Sequence, residues 1–259
     1  MMQVNIAEFG DGLIARERSG ELDPVLWIHG YTLNSSAWLP LWERMPGWKH
    51  IGIDLPSHGQ SRSIRDGESL SSLAGTIGEL ALARGVRHIV ALSFGTIVAT
   101  QAAIEFPDSF ASVTLGAPAL AGGPQDPEVE GLYRELFELA ETRGIGPHLQ
   151  QRWMTAPPPL FYGADSRPDL WNSLWEIGAG HSWSELTGNR MFQLINTRQS
   201  ERELKRITAA FLILVGDSDM PAFRRCGELI CRSVPTSRRV YLNDTGHLCM
   251  LQDPDSIAP

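Results

Sequence analysis

The segment Ile89-Val90-Ala91-Leu92-Ser93-Phe94-Gly95-Thr96 decides the fold prediction. An apolar strand runs into Ser93 and helical spacing begins at the next residue, so the chain has to turn sharply at the serine. Such a turn strains the backbone and leaves room only for small residues two positions to either side, here Ala91 and Gly95. This geometry presents a serine hydroxyl as a nucleophile at the carboxyl end of a sheet, where open α/β sheets bind ligands. The alternative is that Ser93 caps the helix that follows it.

Short apolar runs alternate with helical patterns on both sides of this segment. An antiparallel pair of strands is predicted for residues 3–9 and 13–17, joined by a glycine-rich turn. The further predicted strands are residues 25–28, 50–53, 89–92, 112–115, 211–215 and 239–242, and the helices between them are residues 36–45, 69–84, 94–106 and 221–231. This alternation predicts an α/β fold with a mostly parallel sheet flanked by helices.

Two other predicted strand ends carry carboxylate and imidazole side chains. One strand leads into Gly216-Asp217-Ser218-Asp219, and the last strand leads into a loop that reaches Gly246-His247. A serine hydroxyl is a poor nucleophile at neutral pH, and it needs an imidazole to take its proton and a buried carboxylate to orient that imidazole. The order serine, acid, histidine along the chain therefore predicts a triad of Ser93, one of the two aspartates and His247.

The segment His29-Gly30-Tyr31-Thr32 follows the predicted strand at 25–28. A glycine at this point lets the chain turn with its N–H groups pointing into the site, so the amides of Tyr31 and Phe94 are predicted to form an oxyanion hole. Each such donor is worth roughly 2.7–4 kcal/mol to a developing negative oxygen. We interpret His29 as a residue that holds the loop.

The chain resembles the α/β-hydrolase superfamily, and specifically its capped, esterase-like branch, in five places that occur in the correct order. These places are Leu26-Trp27-Ile28-His29-Gly30, Asp54-Leu55-Pro56-Ser57-His58-Gly59-Gln60-Ser61, Leu92-Ser93-Phe94-Gly95, Gly216-Asp217-Ser218-Asp219 and Gly246-His247. Ala91 and Ser57 stand where the family usually has glycine, and only twelve residues follow His247. We therefore expect the final helix of the family to be missing or replaced in this chain.

The resemblance implies an α/β-hydrolase core at residues 1–117 and 207–259, with a helical cap inserted at residues 118–206. It places the acid at Asp219, the fourth position of the G-x-x-D segment, with Asp217 as its competitor. It implies acyl transfer without a cofactor or metal: Ser93 attacks a carbonyl, an acyl-enzyme forms, and His247 activates the water that releases it. The bond would be a carboxylic ester, thioester or lactone of a small or medium apolar acyl substrate.

Two other functions stay open on the same fold. One is cleavage of a C–C bond, or a cyclisation or lyase step, although such C–C hydrolases tend to carry an aromatic residue after the histidine and this chain has Leu248. The other is a non-catalytic ligand-binding module, which the departures at Ala91 and Ser57 would suit. Fold alone does not separate these possibilities from an esterase.

Within the inserted segment, helices are predicted for residues 127–143, 169–177 and 183–197, and four of the eight tryptophans lie there. These large side chains either fill the core between the inserted helices or line an apolar substrate pocket. The candidate pocket residues are Tyr31, Phe94, Trp153, Phe161, Trp175, Trp183, Met191 and Leu248.

Composition limits the partners of the protein. The 259 residues carry a formal charge of −8, which argues against a nucleic-acid or anionic-membrane binder because such partners require clustered Lys and Arg. The three cysteines form no paired motif, and neither a signal peptide nor a membrane span is visible, so a cytoplasmic location is expected. The expected partner is a small-molecule substrate or a carrier-bound acyl group, and the oligomeric state is left open.

Overall fold

The computed structural model describes residues 3–155 and 158–258, and the strands of this part form one eight-stranded sheet. The strands are β1 (Asn5–Gly10), β2 (Leu13–Arg18), β3 (Leu22–Ile28), β4 (Trp48–Ile53), β5 (His88–Leu92), β6 (Ser112–Gly116), β7 (Ala210–Gly216) and β8 (Ser237–Leu242). Their order is β1-β2-β4-β3-β5-β6-β7-β8, with β2 antiparallel to β1 and β4 and all other neighbours parallel. The predicted hairpin and mostly parallel sheet are confirmed.

Helices cover both faces of this sheet. In chain order they are α1 (Leu39–Arg44), α2 (Leu70–Ala83), α3 (Phe94–Glu105), α4 (Pro127–Arg143), α5 (Pro147–Met154), α6 (Pro158–Phe161), α7 (Pro168–Ala179), α8 (Arg190–Leu194), α9 (Glu201–Leu204), α10 (Pro221–Ser233), α11 (Cys249–Gln252) and α12 (Pro254–Ile257). Side chains alternate between the faces along each strand, so Leu26 and Ile28 join the core under α2, α3 and α10, whereas Val25 and Trp27 join the core on the α1 side. The sheet therefore has a core on each face.

The segment between β6 and β7 is helical and contains no strand among its described residues. The prediction of one helix over residues 183–197 is wrong. The chain forms a 3-10 segment at Ser184–Asn189 and then α8, because Thr187 is extended at φ −71° and ψ 122° and Gly188 has a φ of +67°. A residue with these backbone angles cannot continue a helical ladder.

The last part of the chain turns from β8 through the histidine loop into α11 and α12, which are four residues each. No helix within residues 3–155 and 158–258 is long and apolar enough to cross a bilayer.

Candidate active site

Ser93 lies at the turn between β5 and α3, at the carboxyl edge of the sheet. Its backbone has a φ of +51° and a ψ of −121°, a strained conformation for a residue with a side chain. Its hydroxyl makes no capping bond to α3 and lies 2.7 Å from Nε2 of His247. The strain therefore aims the hydroxyl at an imidazole, which overturns the interpretation of Ser93 as a helix cap.

The small residues around Ser93 are required by close backbone approaches. A methyl group added to Gly95 would lie 2.4 Å from the carbonyl oxygen of His29, which is closer than real carbon atoms approach an oxygen. A methyl group added to Gly30 would come within 3.3 Å of the Ser93 Cβ. Ala91, where the family has glycine, is fully buried in the core beneath α3, so its single methyl is accommodated.

His247 connects Ser93 to a carboxylate through its other nitrogen. Its Nδ1 donates to Oδ1 of Asp219 over 3.0 Å, which leaves the lone pair of Nε2 to accept the Ser93 hydroxyl. The backbone N–H of Met220 donates to the same Asp219 oxygen over 2.7 Å. Asp219 is 3% exposed and His247 is 2% exposed, so water screens this pair very little.

Asp217, the competing aspartate, lies on the surface. Its carboxylate accepts the backbone N–H of Asp244 and the hydroxyl of Ser218, and the Asp244 amide is the main reason that the pKa of Asp217 is below its usual value. The end of β7 packs tightly against the histidine loop, since a methyl group on Gly216 would lie 2.3 Å from the carbonyl oxygen of Gly246. The structure thus places Asp219, and not Asp217, against His247.

The loop after β3 brings Tyr31 to the same place. Among the described residues, neither the Tyr31 N–H nor the N–H of Phe94, at the first position of α3, donates to a protein acceptor. Both residues line one cavity with Ser93 and His247. The structure thus places both predicted oxyanion donors at the wall of the cavity that Ser93 and His247 share.

His29 holds this loop in place. Its Nδ1–H donates to the carbonyl of Gly30 over 2.8 Å, and its Nε2 accepts the backbone N–H of Leu55 over 3.0 Å. Burial lowers the pKa of His29 to about 4, so the ring is neutral near pH 7.

An apolar cavity of about 150 Å³ opens onto Ser93. Its walls combine core residues with residues of the inserted helices. Of the candidate pocket residues, the ones that line it are Tyr31, Phe94, Trp153, Phe161, Met191 and Leu248.

Two of the candidate pocket residues are corrected by the structure. Trp175 is 41% exposed, because α7 buries Leu174 and Gly178 and turns the next residue toward solvent. Trp183 is 3% exposed but does not line the cavity; its ring packs edge-on against Tyr31 and His181, behind the cavity wall. Residue type alone could not distinguish these two tryptophans from the residues that do line the cavity.

Sequence reasoning missed several residues of the cavity. The ring of Phe223 packs on His247 with centroids 4.2 Å apart and also lines the cavity. The signal was present, because α10 starts two residues after Asp219 and its first turn must therefore lie at the same edge of the sheet. Further lining residues that were missed are Leu120, Val129, Tyr133, Leu160, Leu186, Phe192 and Ile195.

Within residues 3–155 and 158–258, no three side chains among His, Cys, Asp and Glu are grouped as ligands of a metal ion.

A family model described as the alpha/beta hydrolase family matches residues 25–259 of this chain. The chain therefore belongs to the α/β hydrolase family, as the five sequence segments and the sheet order predict.

Curated relatives include hydrolytic enzymes. The monoacylglycerol lipase ABHD6 of Mus musculus is 30% identical over 273 residues, a match that covers 99% of this chain and 80% of the lipase. The pimeloyl-[acyl-carrier protein] methyl ester esterase of Methylococcus capsulatus is 36% identical over 123 residues, which is 45% of this chain and 46% of the esterase. Other relatives match over a smaller share of their own length, such as 36% for an acetyltransferase component of an acetoin cleaving system from Cupriavidus necator.

Solved structures share the fold across nearly the whole chain. MenH from S. aureus has a TM-score of 0.80 at 18% identity and covers 94% of both chains. The enol-lactonase from Burkholderia xenovorans LB400 has a TM-score of 0.79 at 18% identity, over 98% of this chain and 96% of its own. At these identities the likeness shows a common fold.

Proposed function

We propose that this protein is a serine hydrolase that cleaves an ester-like bond of a small, uncharged acyl substrate. The observation that carries the proposal is the hydrogen-bonded chain from Ser93 through His247 to Asp219 at the floor of an apolar cavity. Acyl transfer needs a nucleophile, a base that is held in the right tautomer, and donors for the oxyanion. Ser93, His247 with Asp219, and the amides of Tyr31 and Phe94 would supply these groups.

In the acylation half of the proposed reaction, the Ser93 oxygen attacks the carbonyl carbon while Nε2 of His247 takes the hydroxyl proton. The negative charge that develops on the carbonyl oxygen is stabilised by the N–H groups of Tyr31 and Phe94. The buried Asp219 carboxylate, 3.0 Å from Nδ1, stabilises the imidazolium that forms. His247 then gives its proton to the leaving alcohol, and the acyl group stays on Ser93.

In the deacylation half, a water molecule takes the place of the leaving alcohol. Nε2 of His247 removes a proton from the water, the resulting hydroxide attacks the acyl carbon, and the same two amides stabilise the second oxyanion. The acid leaves, and the proton returns from His247 to the Ser93 oxygen. Atoms and charge balance with water as the only co-substrate.

The cavity indicates the substrate class. Among the described residues that line it there is no Lys or Arg, and the only carboxylate is that of Asp126. A substrate with its own carboxylate or phosphate would therefore lose its hydration without gaining a counter-ion. The similarity to a monoacylglycerol lipase supports the same class, because a monoacylglycerol is an uncharged ester.

The size of the cavity sets the length of the acyl group. A volume of about 150 Å³ is comparable to that of a core cavity that holds one benzene ring. Acyl groups of about four to six carbons fit this space. Longer chains would have to extend beyond it, past the helices of residues 118–206, which we propose act as a cap over the site.

A series of p-nitrophenyl esters tests this proposal. We expect kcat/KM to be highest for butyrate to hexanoate and to fall for laurate, and we expect Ser93→Ala to abolish turnover of every ester. Full turnover by Ser93→Ala would overturn the assignment of a serine hydrolase, and a maximum at laurate would overturn the size limit.

A matched pair of esters tests the charge preference. Mono-p-nitrophenyl glutarate resembles p-nitrophenyl hexanoate in length but ends in a carboxylate. We expect the uncharged ester to be hydrolysed at least tenfold faster, after correction for the two spontaneous rates. Equal rates would contradict the uncharged substrate class, and slow turnover of all esters with an active Ser93 would favour C–C bond chemistry.

A further inference from the structure

A buried polar cluster joins the inserted segment to the loop after β3, residues 29–32, which we call the oxyanion loop because it carries the Tyr31 amide. The Tyr31 hydroxyl donates to Oε1 of Glu185 over 2.7 Å, and Nε2 of His181 donates to the same oxygen over 3.0 Å. Glu185 is fully buried, and its second carboxylate oxygen has no partner among the described residues. A buried carboxylate with one unsatisfied oxygen is costly, so its position calls for an explanation.

Tyr31 is the link between this carboxylate and the proposed chemistry. Its backbone N–H is one of the two proposed oxyanion donors, and its side chain packs among aromatic rings. The ring lies edge-on to Trp153, Tyr133 and Phe94, with centroids 5.2, 5.3 and 6.4 Å away. Ring packing fills the space around Tyr31, but only the hydroxyl has a directional contact.

The hydroxyl stays a donor over the working pH range. Burial, assisted by the neighbouring Glu185 carboxylate, raises the pKa of Tyr31 well above its ordinary value. Tyr31 is therefore the donor and the Glu185 oxygen the acceptor in this bond.

We propose that Glu185, held by His181, is a positioning residue that sets the oxyanion loop through the Tyr31 hydroxyl. This inference rests on the proposed function, because it assigns the bond a purpose in catalysis. Glu185 and His181 lie in the inserted segment and Tyr31 lies in the core, so the bond aligns the Tyr31 N–H only while the inserted helices sit over the site.

Thr32 supports the same interpretation. It follows Tyr31 with a φ of +61°, in the left-handed region that a β-branched residue avoids, and its hydroxyl donates to the Tyr31 carbonyl over 2.7 Å. A strained peptide on one side of Tyr31 relaxes unless another contact opposes it. The Glu185 bond is the polar contact that fixes the side chain of Tyr31 against such relaxation.

Tyr31→Phe is the most direct variant, because it removes only the oxygen that donates to Glu185. We expect kcat for p-nitrophenyl butyrate to fall about tenfold with KM unchanged within twofold. This is less than the roughly 10²–10³-fold loss caused by removing an oxyanion donor, since the N–H is displaced and not deleted. Phenylboronic acid forms a tetrahedral adduct with a reactive serine, so its inhibition constant should rise by the same factor.

Glu185→Gln and Glu185→Leu test the partner of Tyr31. Gln keeps an acceptor oxygen and should retain most of the activity, whereas Leu should lose about as much as Tyr31→Phe. The double variant Tyr31→Phe/Glu185→Leu should be no worse than either single variant, because both break one link.

Tyr241→Phe and Glu176→Gln are the matched controls, since both side chains are exposed and neither lines the cavity. They should leave kcat, KM and the boronate inhibition constant unchanged. If Ser93→Ala abolishes turnover but Tyr31→Phe keeps kcat and the boronate constant within twofold of wild type, the positioning role is wrong and the proposed hydrolase function stands. If Ser93→Ala itself turns over normally, the proposed function fails first.

Discussion

Asp219→Asn isolates the electrostatic contribution of the triad carboxylate. The variant keeps the size and shape of the side chain and removes only its charge. The Met220 N–H donates to the same oxygen that accepts Nδ1–H of His247, so the asparagine carbonyl oxygen should stay in that position. The histidine tautomer is then preserved, and the loss reports the missing charge.

The magnitude follows from the geometry. An Nδ1–Oδ1 distance of 3.0 Å places the centres of the two delocalised charges about 4 Å apart. At an effective dielectric constant of about 20, two unit charges at this separation attract each other by about 4 kcal/mol. Since about 1.4 kcal/mol corresponds to a factor of ten in rate, kcat should fall about 10³-fold.

The assay is steady-state hydrolysis of p-nitrophenyl butyrate at pH 7.5. KM should change little, because Asp219 does not line the cavity. Asp217→Asn is the control, with an expected rate within twofold of wild type, since Asp217 is exposed and its carboxylate accepts from the Asp244 N–H and the Ser218 hydroxyl and not from His247. A loss below tenfold for Asp219→Asn, or equal losses for both variants, would refute the assignment of the acid.

Two further predictions concern stability. Gly95→Ala should lower the free energy of unfolding by about 2 kcal/mol or more, because its methyl group would meet the His29 carbonyl oxygen at 2.4 Å. Gly75→Ala, which has open space around it in α2, should instead raise that free energy by about 0.5–1 kcal/mol. Denaturant unfolding measures both changes. Asp11→Asn should cost less than about 1 kcal/mol at pH 7, since Arg65 is the main group that lowers the pKa of the partly exposed Asp11. The folded pKa of Asp11 lies below the ordinary value of 3.8, so this stabilisation is present above that value and is lost as the pH falls through the folded pKa. The melting temperatures of the two proteins should therefore converge as the solution is made more acidic than the folded pKa, and a gap that stays constant with pH would contradict the ion pair.

The sequence was sufficient for the sheet and for the placement of Ser93, His247 and Asp219 at one edge of it. The reason is physical: each of these residues follows an apolar strand, and parallel strands in one sheet end at the same edge. The requirement for small residues at positions 91 and 95 could also be predicted from the sequence, because the sharp turn at Ser93 leaves no room for larger side chains there.

The inserted segment was less predictable, because its helices have no sheet to fix their orientation. Apolar content could not show that Trp175 faces solvent while Trp153 lines the cavity, since both lie on helices that pack on several sides. Gly188 and Asn189 both adopt positive φ and interrupt the helix. This residue pair is typical of a helix break, but the apolar residues around it have helical spacing, which favoured the wrong prediction. The burial of Glu185 could not be predicted, because a glutamate in a helical pattern is usually on the surface.

The nucleophilic reactivity of Ser93 decides whether this protein is a serine hydrolase. A fluorophosphonate probe should label the native protein at one residue, and mass spectrometry of the digested adduct should place the label on the peptide that contains Ser93. His247→Ala and heat-denatured protein should label slowly or not at all, because the serine then lacks its base. A native protein that stays unlabelled under conditions that saturate a known serine esterase, or a label on a different residue, would contradict the assignment of Ser93 as the nucleophile.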